Sequence, residues 1–195
     1  MANANNNVGN TETSYQLTGL QISRSEENRI ESIISELSNG RREPNWEQEK
    51  AEIIEADSNQ LKSIGDITWD LWINNFSDGK ALASEIKTPK PNKDQTMETK
   101  RQMLKTIAAY KHLESPTPIV RFVFPFNPYG ELESYNWWAP QSIFNVKESD
   151  GMLIAQDFWN AIGGEKTMEG LYNFLLGESE GNIDKLKVLA GESTL

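Results

Sequence analysis

The chain has 195 residues, one histidine, no cysteine and a formal charge of −10. That length allows one substantial core, and 37% hydrophobic with 25% charged residues is ordinary for a globular chain. Without cysteine there are no disulfides, thiol nucleophiles or thiolate zinc sites, and His112 alone cannot form a histidine cluster, so any metal site must be built from oxygen ligands. Apolar runs such as Ile119 to Phe126 fall far short of the roughly 20 residues that span a bilayer. The start lacks a basic-then-apolar signal pattern, which predicts a cytoplasmic protein with no membrane association.

Residues 1–13 are rich in Asn and offer little to a core, which predicts a flexible N-terminal segment ahead of one domain over 14–195. Ser23 three residues ahead of Glu26 starts a helix with Ile30, Ile33, Ile34 and Leu37 on one face and Gly40 as its stop. After Pro44, the spacing of Trp46, Ile53, Ile54, Leu61 and Ile64 predicts a second amphipathic helix. The period then changes to two: Ile67, Trp69, Leu71 and Ile73 alternate with Thr68, Asp70, Trp72 and Asn74 as in a strand. A turn containing Asp78-Gly79 leads to a returning strand, Ala81 to Thr88. Pro89 and Pro91 break regular structure, and a basic helix follows from about Gln95 to Leu113. Ile119 to Phe124 reads as a buried strand, followed by an irregular aromatic segment with Trp137, Trp138, Ile143 and Phe144. Helices are predicted over Met152 to Ile162, Thr167 to Leu176 and Ile183 to Ala190. Helices around a hairpin-containing sheet make an α/β sandwich the expected packing.

The chemistry-bearing stretch is Asp66-Ile67-Thr68-Trp69-Asp70 followed by Ser84-Glu85-Ile86-Lys87-Thr88-Pro89. With a four-residue turn, Asp70 falls opposite Glu85, and directly opposed residues have Cβ atoms about 4.5 to 5.5 Å apart. With a two-residue turn at Asp78-Gly79, Asp70 falls opposite Lys87 instead. In either register two acids and a lysine are neighbours, since Lys87 shares a strand face with Glu85. Two carboxylates on one face repel unless a cation or a raised pKa tolerates them, and Mg2+, with Mn2+ as a substitute, is the oxygen-preferring cation expected here. The structural alternative is a cross-strand ion pair of Asp70 and Lys87 with Glu85 solvated. The residues from Lys87 to Lys111 carry a local charge of +5 within an otherwise acidic chain.

These residues resemble the PD-(D/E)xK nuclease superfamily, and Glu85-Ile86-Lys87-Thr88-Pro89-Lys90-Pro91-Asn92-Lys93-Asp94-Gln95 is similar to the signature of TdeIII-type restriction endonucleases. The resemblance covers about Gly65 to Leu113, with a weaker likeness at Asp157 to Gly164. It implies a single-domain restriction-endonuclease-like sandwich with a central mixed β-sheet, metal ligation by Asp70 and Glu85, and a catalytic Lys87. The family's proline before the first acid is absent, and Asp66 is the alternative for that acid. Glu52 and Glu55 are candidates for a further acid from the preceding helix, and Gln102 resembles a glutamine found on the helix after the motif. Lys90, Lys93, Lys100 and Arg101 are the expected phosphate contacts. The expected function is type II restriction: Mg2+-dependent hydrolysis of double-stranded DNA at a short, palindromic site by a homodimer. A structure-selective repair or recombination nuclease and a non-catalytic nucleic-acid-binding protein are the alternatives, the latter prompted by the acidic total charge.

Overall fold

The computed structural model describes residues 10–130, 132–147 and 151–189. Its sheet is built around the predicted hairpin, β4 (Ile67–Ser77) and β5 (Lys80–Ile86). A parallel strand, β6 (Ile119–Phe124), lies beside β5, and the five-stranded order is β1-β4-β5-β6-β7, with β1 spanning Thr11–Leu17 and β7 spanning Met152–Ile154. The first two pairings are antiparallel and the last two parallel, so the sheet is mixed, as expected from the sequence. β2 (Gln21–Ser23) and β3 (Leu61–Ser63) form a separate two-stranded sheet.

Helices α1 (Arg24–Ser38), α2 (Trp46–Glu55) and α3 (Lys93–Tyr110) cover one side of the sheet. The capping box at the start of α1 forms as the Ser-x-x-Glu spacing predicts: Ser23 Oγ accepts from Glu26 N, and Glu26 Oε2 accepts from Ser23 N. α3 begins at Lys93, two residues before Gln95, because Asn92 and Gln95 form a second capping box. Ile30, Ile33 and Leu37 of α1 and Leu104 and Ile107 of α3 are buried with Trp69, Trp72, Phe122 and Phe124 of the sheet. Each such side chain contributes about 1.5 to 3 kcal/mol on burial. A smaller core joins Leu71, Ile73, Leu82 and Val123 to Phe158 and Ile162 of α5 (Gln156–Gly163). The short α4 (Trp138–Gln141) lies in the aromatic segment, and α6 (Thr167–Leu189) closes the described chain.

Several expectations are corrected. Thr11 to Thr13, expected within the flexible N-terminal segment, are strand, paired with Ile73 to Leu71; residues 1–9 lie outside the described residues. The stretch predicted as one helix from Met152 is a strand to Ile154 followed by a helix from Gln156, with Ala155 between them at φ 49°. The two last predicted helices are one, since Gly177 and Gly181 sit inside α6 rather than ending it; Ala190 lies outside the described residues. Tyr172, Phe174, Leu175 and Leu176 of α6 are more than half exposed. Leu61 belongs to β3, so the second helix ends at Glu55, before it reaches that residue.

Candidate active site

Near the site the β4–β5 pairing runs Leu71 to Ser84, Trp72 to Ala83 and Ile73 to Leu82. One further step of that register sets Asp70 level with Glu85. The turn, however, is the tight one, with Ser77 paired to Lys80 around Asp78-Gly79. A register shift between Ile73 and Ser77, where Asn75 has φ 49°, reconciles the two. The hairpin thus combines the two-residue turn with the register that a four-residue turn would have given.

Asp70, Glu85 and Lys87 converge. Lys87 Nζ lies 2.5 Å from Glu85 Oε1 and 3.5 Å from Asp70 Oδ2. Asp70 Oδ2 also accepts from the amide of Ile86 at 2.8 Å, which fixes the carboxylate across the strand pair. The side chain of Asp70 is 43% exposed and that of Glu85 14%, so one carboxylate opens to solvent and the other lies under it. Burial pushes the Glu85 carboxyl above its usual range, and the charge of Asp70 adds to this against the hydrogen bonds from Lys87 and Gln102. Burial disfavours the Lys87 ammonium, yet its hydrogen bond to Glu85 and the charges of both acids outweigh that and hold its pKa above the ordinary lysine value.

A pair of carboxylates in which one is reluctant to ionise is a donor set suited to a hard divalent cation that brings its own waters. Among the described residues no group of three or more acid or imidazole side chains is placed to hold a metal. Gln102 of α3 supports the site from the helix side, donating through Nε2 to the Thr68 carbonyl at 2.9 Å and hydrogen bonding Glu85.

The other sequence candidates lie elsewhere. Asp66 precedes β4, is exposed and accepts from Gln16 Nε2 at 3.1 Å. Glu52 is held by Arg42, 2.6 Å away, and by Arg29, and these guanidinium groups keep its carboxyl below the usual range. Glu55 is exposed at the end of α2. Of the four expected phosphate contacts, Lys100 points inward: it is fully buried, its ammonium is 2.5 Å from the buried Glu49, and burial pushes its pKa down. It lies over the rings of Phe144 and Trp46, at 4.2 and 5.0 Å from their centroids. That position does not fit a phosphate contact. Arg101 is paired to Glu31 and Glu98, and Lys93 Nζ donates to the Ser38 carbonyl. Only Lys90, among these four, has neither a carboxylate nor a carbonyl as its partner among the described residues; its ammonium lies over Tyr129 and Trp137.

The inward turn of Lys100 had a signal in the sequence. Thr96, Lys100, Met103 and Ile107 share a helix face, as do Trp46, Glu49 and Ile53, so opposite charges sit on the apolar stripes of two helices that pack together. Trp137 is half-buried and packs against the main core, and its indole N–H donates to the Pro91 carbonyl.

A family model described as type II restriction endonuclease, HinfI, matches residues 3–176. The type II restriction enzyme HgiCII of Herpetosiphon aurantiacus is 31% identical over 99 residues, covering 50% of this chain and 35% of that protein. MjaII of Methanocaldococcus jannaschii, also a type II restriction enzyme, is 25% identical over 167 residues, covering 80% of this chain and 44% of that one. The chain therefore spans less than half the length of these relatives. No solved structure matches it. Restriction endonucleases are the common ground between these findings and the motif resemblance, and the family whose model matches is HinfI.

Proposed function

The chain belongs to the HinfI family of type II restriction endonucleases, and from that premise we propose that it hydrolyses phosphodiester bonds of double-stranded DNA at a short palindromic site. The reading extends to a PD-(D/E)xK centre that uses Mg2+, or Mn2+ in its place, in a homodimer acting in the cytoplasm, where its DNA substrate lies. What carries it is the convergence of Asp70 and Glu85 on the Lys87 ammonium at the end of one hairpin.

In this reading Asp70 and Glu85 supply the oxygens that hold the divalent cation. A bound Mg2+ lowers the pKa of a water nucleophile and offsets charge on the phosphate. Lys87 places a compact positive charge beside the reacting phosphate, where negative charge grows in the transition state. The Ile86 amide keeps the Asp70 carboxylate from rotating away, and Gln102 ties Glu85 to α3. Cleavage of a palindrome on both strands needs two such sites, which is the argument for a two-fold dimer.

Plasmid incubated with the purified chain and Mg2+ should give discrete, sequence-determined fragments, and EDTA should abolish them. Smeared or structure-dependent cuts would point to a different class of nuclease. Sedimentation should show twice the 22.1 kDa chain mass.

A further inference from the structure

Lys90 follows Lys87 by three residues, in a segment whose prolines at 89 and 91 have no amide hydrogen with which to join a strand ladder. A distant segment fixes this stretch instead. The Tyr135 hydroxyl donates to the Pro89 carbonyl at 2.5 Å, and Trp137 Nε1 donates to the Pro91 carbonyl at 2.8 Å. That segment also provides two aromatic faces for the residue between the prolines: Lys90 Nζ lies 5.0 Å from the centroid of Tyr129 and 5.7 Å from that of Trp137. Tyr129 in turn meets Tyr135 edge-on, with centroids 5.7 Å apart.

The kind of partner matters. A carboxylate that positions a lysine also cancels its charge, whereas an aromatic face attracts the cation through its quadrupole and leaves the charge whole. Arg101 and Lys100 have carboxylate partners, and Lys93 is turned to a backbone carbonyl. Lys90 is exposed, anchored at both neighbouring carbonyls, and keeps its charge. Three residues span at most about 10 Å of extended chain, which reaches a few nucleotides along a strand rising about 3.4 Å per step.

We propose that Tyr129, Tyr135 and Trp137 form a platform that holds Lys90 ready to contact a backbone phosphate flanking the bond that is cut. Lys90 is the binding residue and the three aromatic residues are positioning residues. This assignment rests on the nuclease reading above.

The test uses the full chain and a plasmid fragment that the wild-type protein cuts, with binding measured in Ca2+ over a series of KCl concentrations. Lys90→Ala should weaken binding and reduce the slope of log K against log salt by about 1, and Lys90→Arg should preserve that slope. Tyr135→Phe, which removes one hydroxyl, and Tyr129→Leu, which removes one π face, should each weaken binding several-fold with the slope intact. In a Lys90→Ala background both should have little further effect, because they act through Lys90. An unchanged slope in Lys90→Ala, or equal losses from Tyr135→Phe and Tyr129→Leu with and without Lys90, would overturn the platform. If the wild-type protein cuts no plasmid, binding is measured on an arbitrary duplex fragment. The same slope pattern there would sink the nuclease reading while leaving the phosphate contact standing, and absence of binding would sink both.

Discussion

Asp70 and Glu85 differ in setting, since one is open and the other lies beneath it. In the proposed site, removing either would take away a cation ligand without taking away a phosphate contact, so Asp70→Ala and Glu85→Ala should each abolish cleavage and leave DNA binding intact or tighter. Asp66→Ala, whose carboxylate engages Gln16 away from the site, should cut normally; the opposite pattern in folded proteins would transfer the first acid to Asp66. Lys87→Ala should retain metal binding but lower single-turnover cleavage by about 10^2- to 10^3-fold, the usual cost of removing one group that stabilises transition-state charge. Lys87→Arg should not restore the rate, because a planar fork places the charge differently between two carboxylates. A residue far from this chemistry sets a pH limit. Glu26 is fully buried; although burial opposes its charge, hydrogen bonds from Ser23, His112 and Lys111 outweigh that and hold its pKa below the ordinary value. A carboxyl whose folded pKa is depressed stabilises the fold above its unfolded pKa of about 4.3, and that contribution disappears as pH falls through the lower folded value. The denaturation midpoint should therefore fall as pH drops below about 4.3, and Glu26→Gln should show a shallower fall.

The same distinction between partnered and unpartnered charge governs how the helices hold together. Glu49 of α2 and Lys100 of α3 form an ion pair with side-chain exposures of 0 and 1%, enclosed by Trp46 and Phe144. Lys100→Met alone leaves a buried carboxylate without its cation and should cost about 3 to 5 kcal/mol, whereas Glu49→Leu with Lys100→Met should be near neutral or stabilising. Denaturant titration of the three proteins checks this, and equal losses in single and double variants would refute it. Local patterns made much of this level legible in the sequence. Alternation at Ile67 to Asn74 and the Asp78-Gly79 pair announced the hairpin, and spacing alone brought Asp70, Glu85 and Lys87 together. What escaped depends on distant partners. β1 has few apolar residues and becomes a strand by pairing with β4, whose residues lie 50 to 62 positions later. The three-residue β7 is too short to show a period against the helical residues that follow it. The tethering of Pro89 and Pro91 comes from residues 46 positions away, which no window along the chain would reveal.

Across the whole molecule, charge counted along the sequence overstates the field that DNA would meet. Four phosphate contacts from Lys90, Lys93, Lys100 and Arg101 would give a salt slope contribution of about 3 to 4. With Lys100 buried and Arg101 and Lys93 tied to protein oxygens, replacing the surface members Lys90, Lys93 and Arg101 together should remove only about 1 unit of slope, measured by titration over a range of KCl. A loss near 3 would show that Lys93 and Arg101 swing outward on binding. Among the described residues no helix is long and apolar enough to cross a membrane. The register shift in the hairpin has a further consequence for how this chain tolerates change in length. Between Ile73 and Ser77 strand β4 holds two residues more than its partner, so the tip and the end that carries Asp70 and Glu85 keep separate counts. Deleting Asn75 and Phe76 together would bring Asn74 opposite Ala81 and Ser77 opposite Lys80, an unbroken ladder with Asp70 still level with Glu85. Deleting one of them would leave an odd residue and force the error toward the carboxylates. The tip is thus a tolerant joint, where length can vary in steps of two while the two carboxylates stay in step.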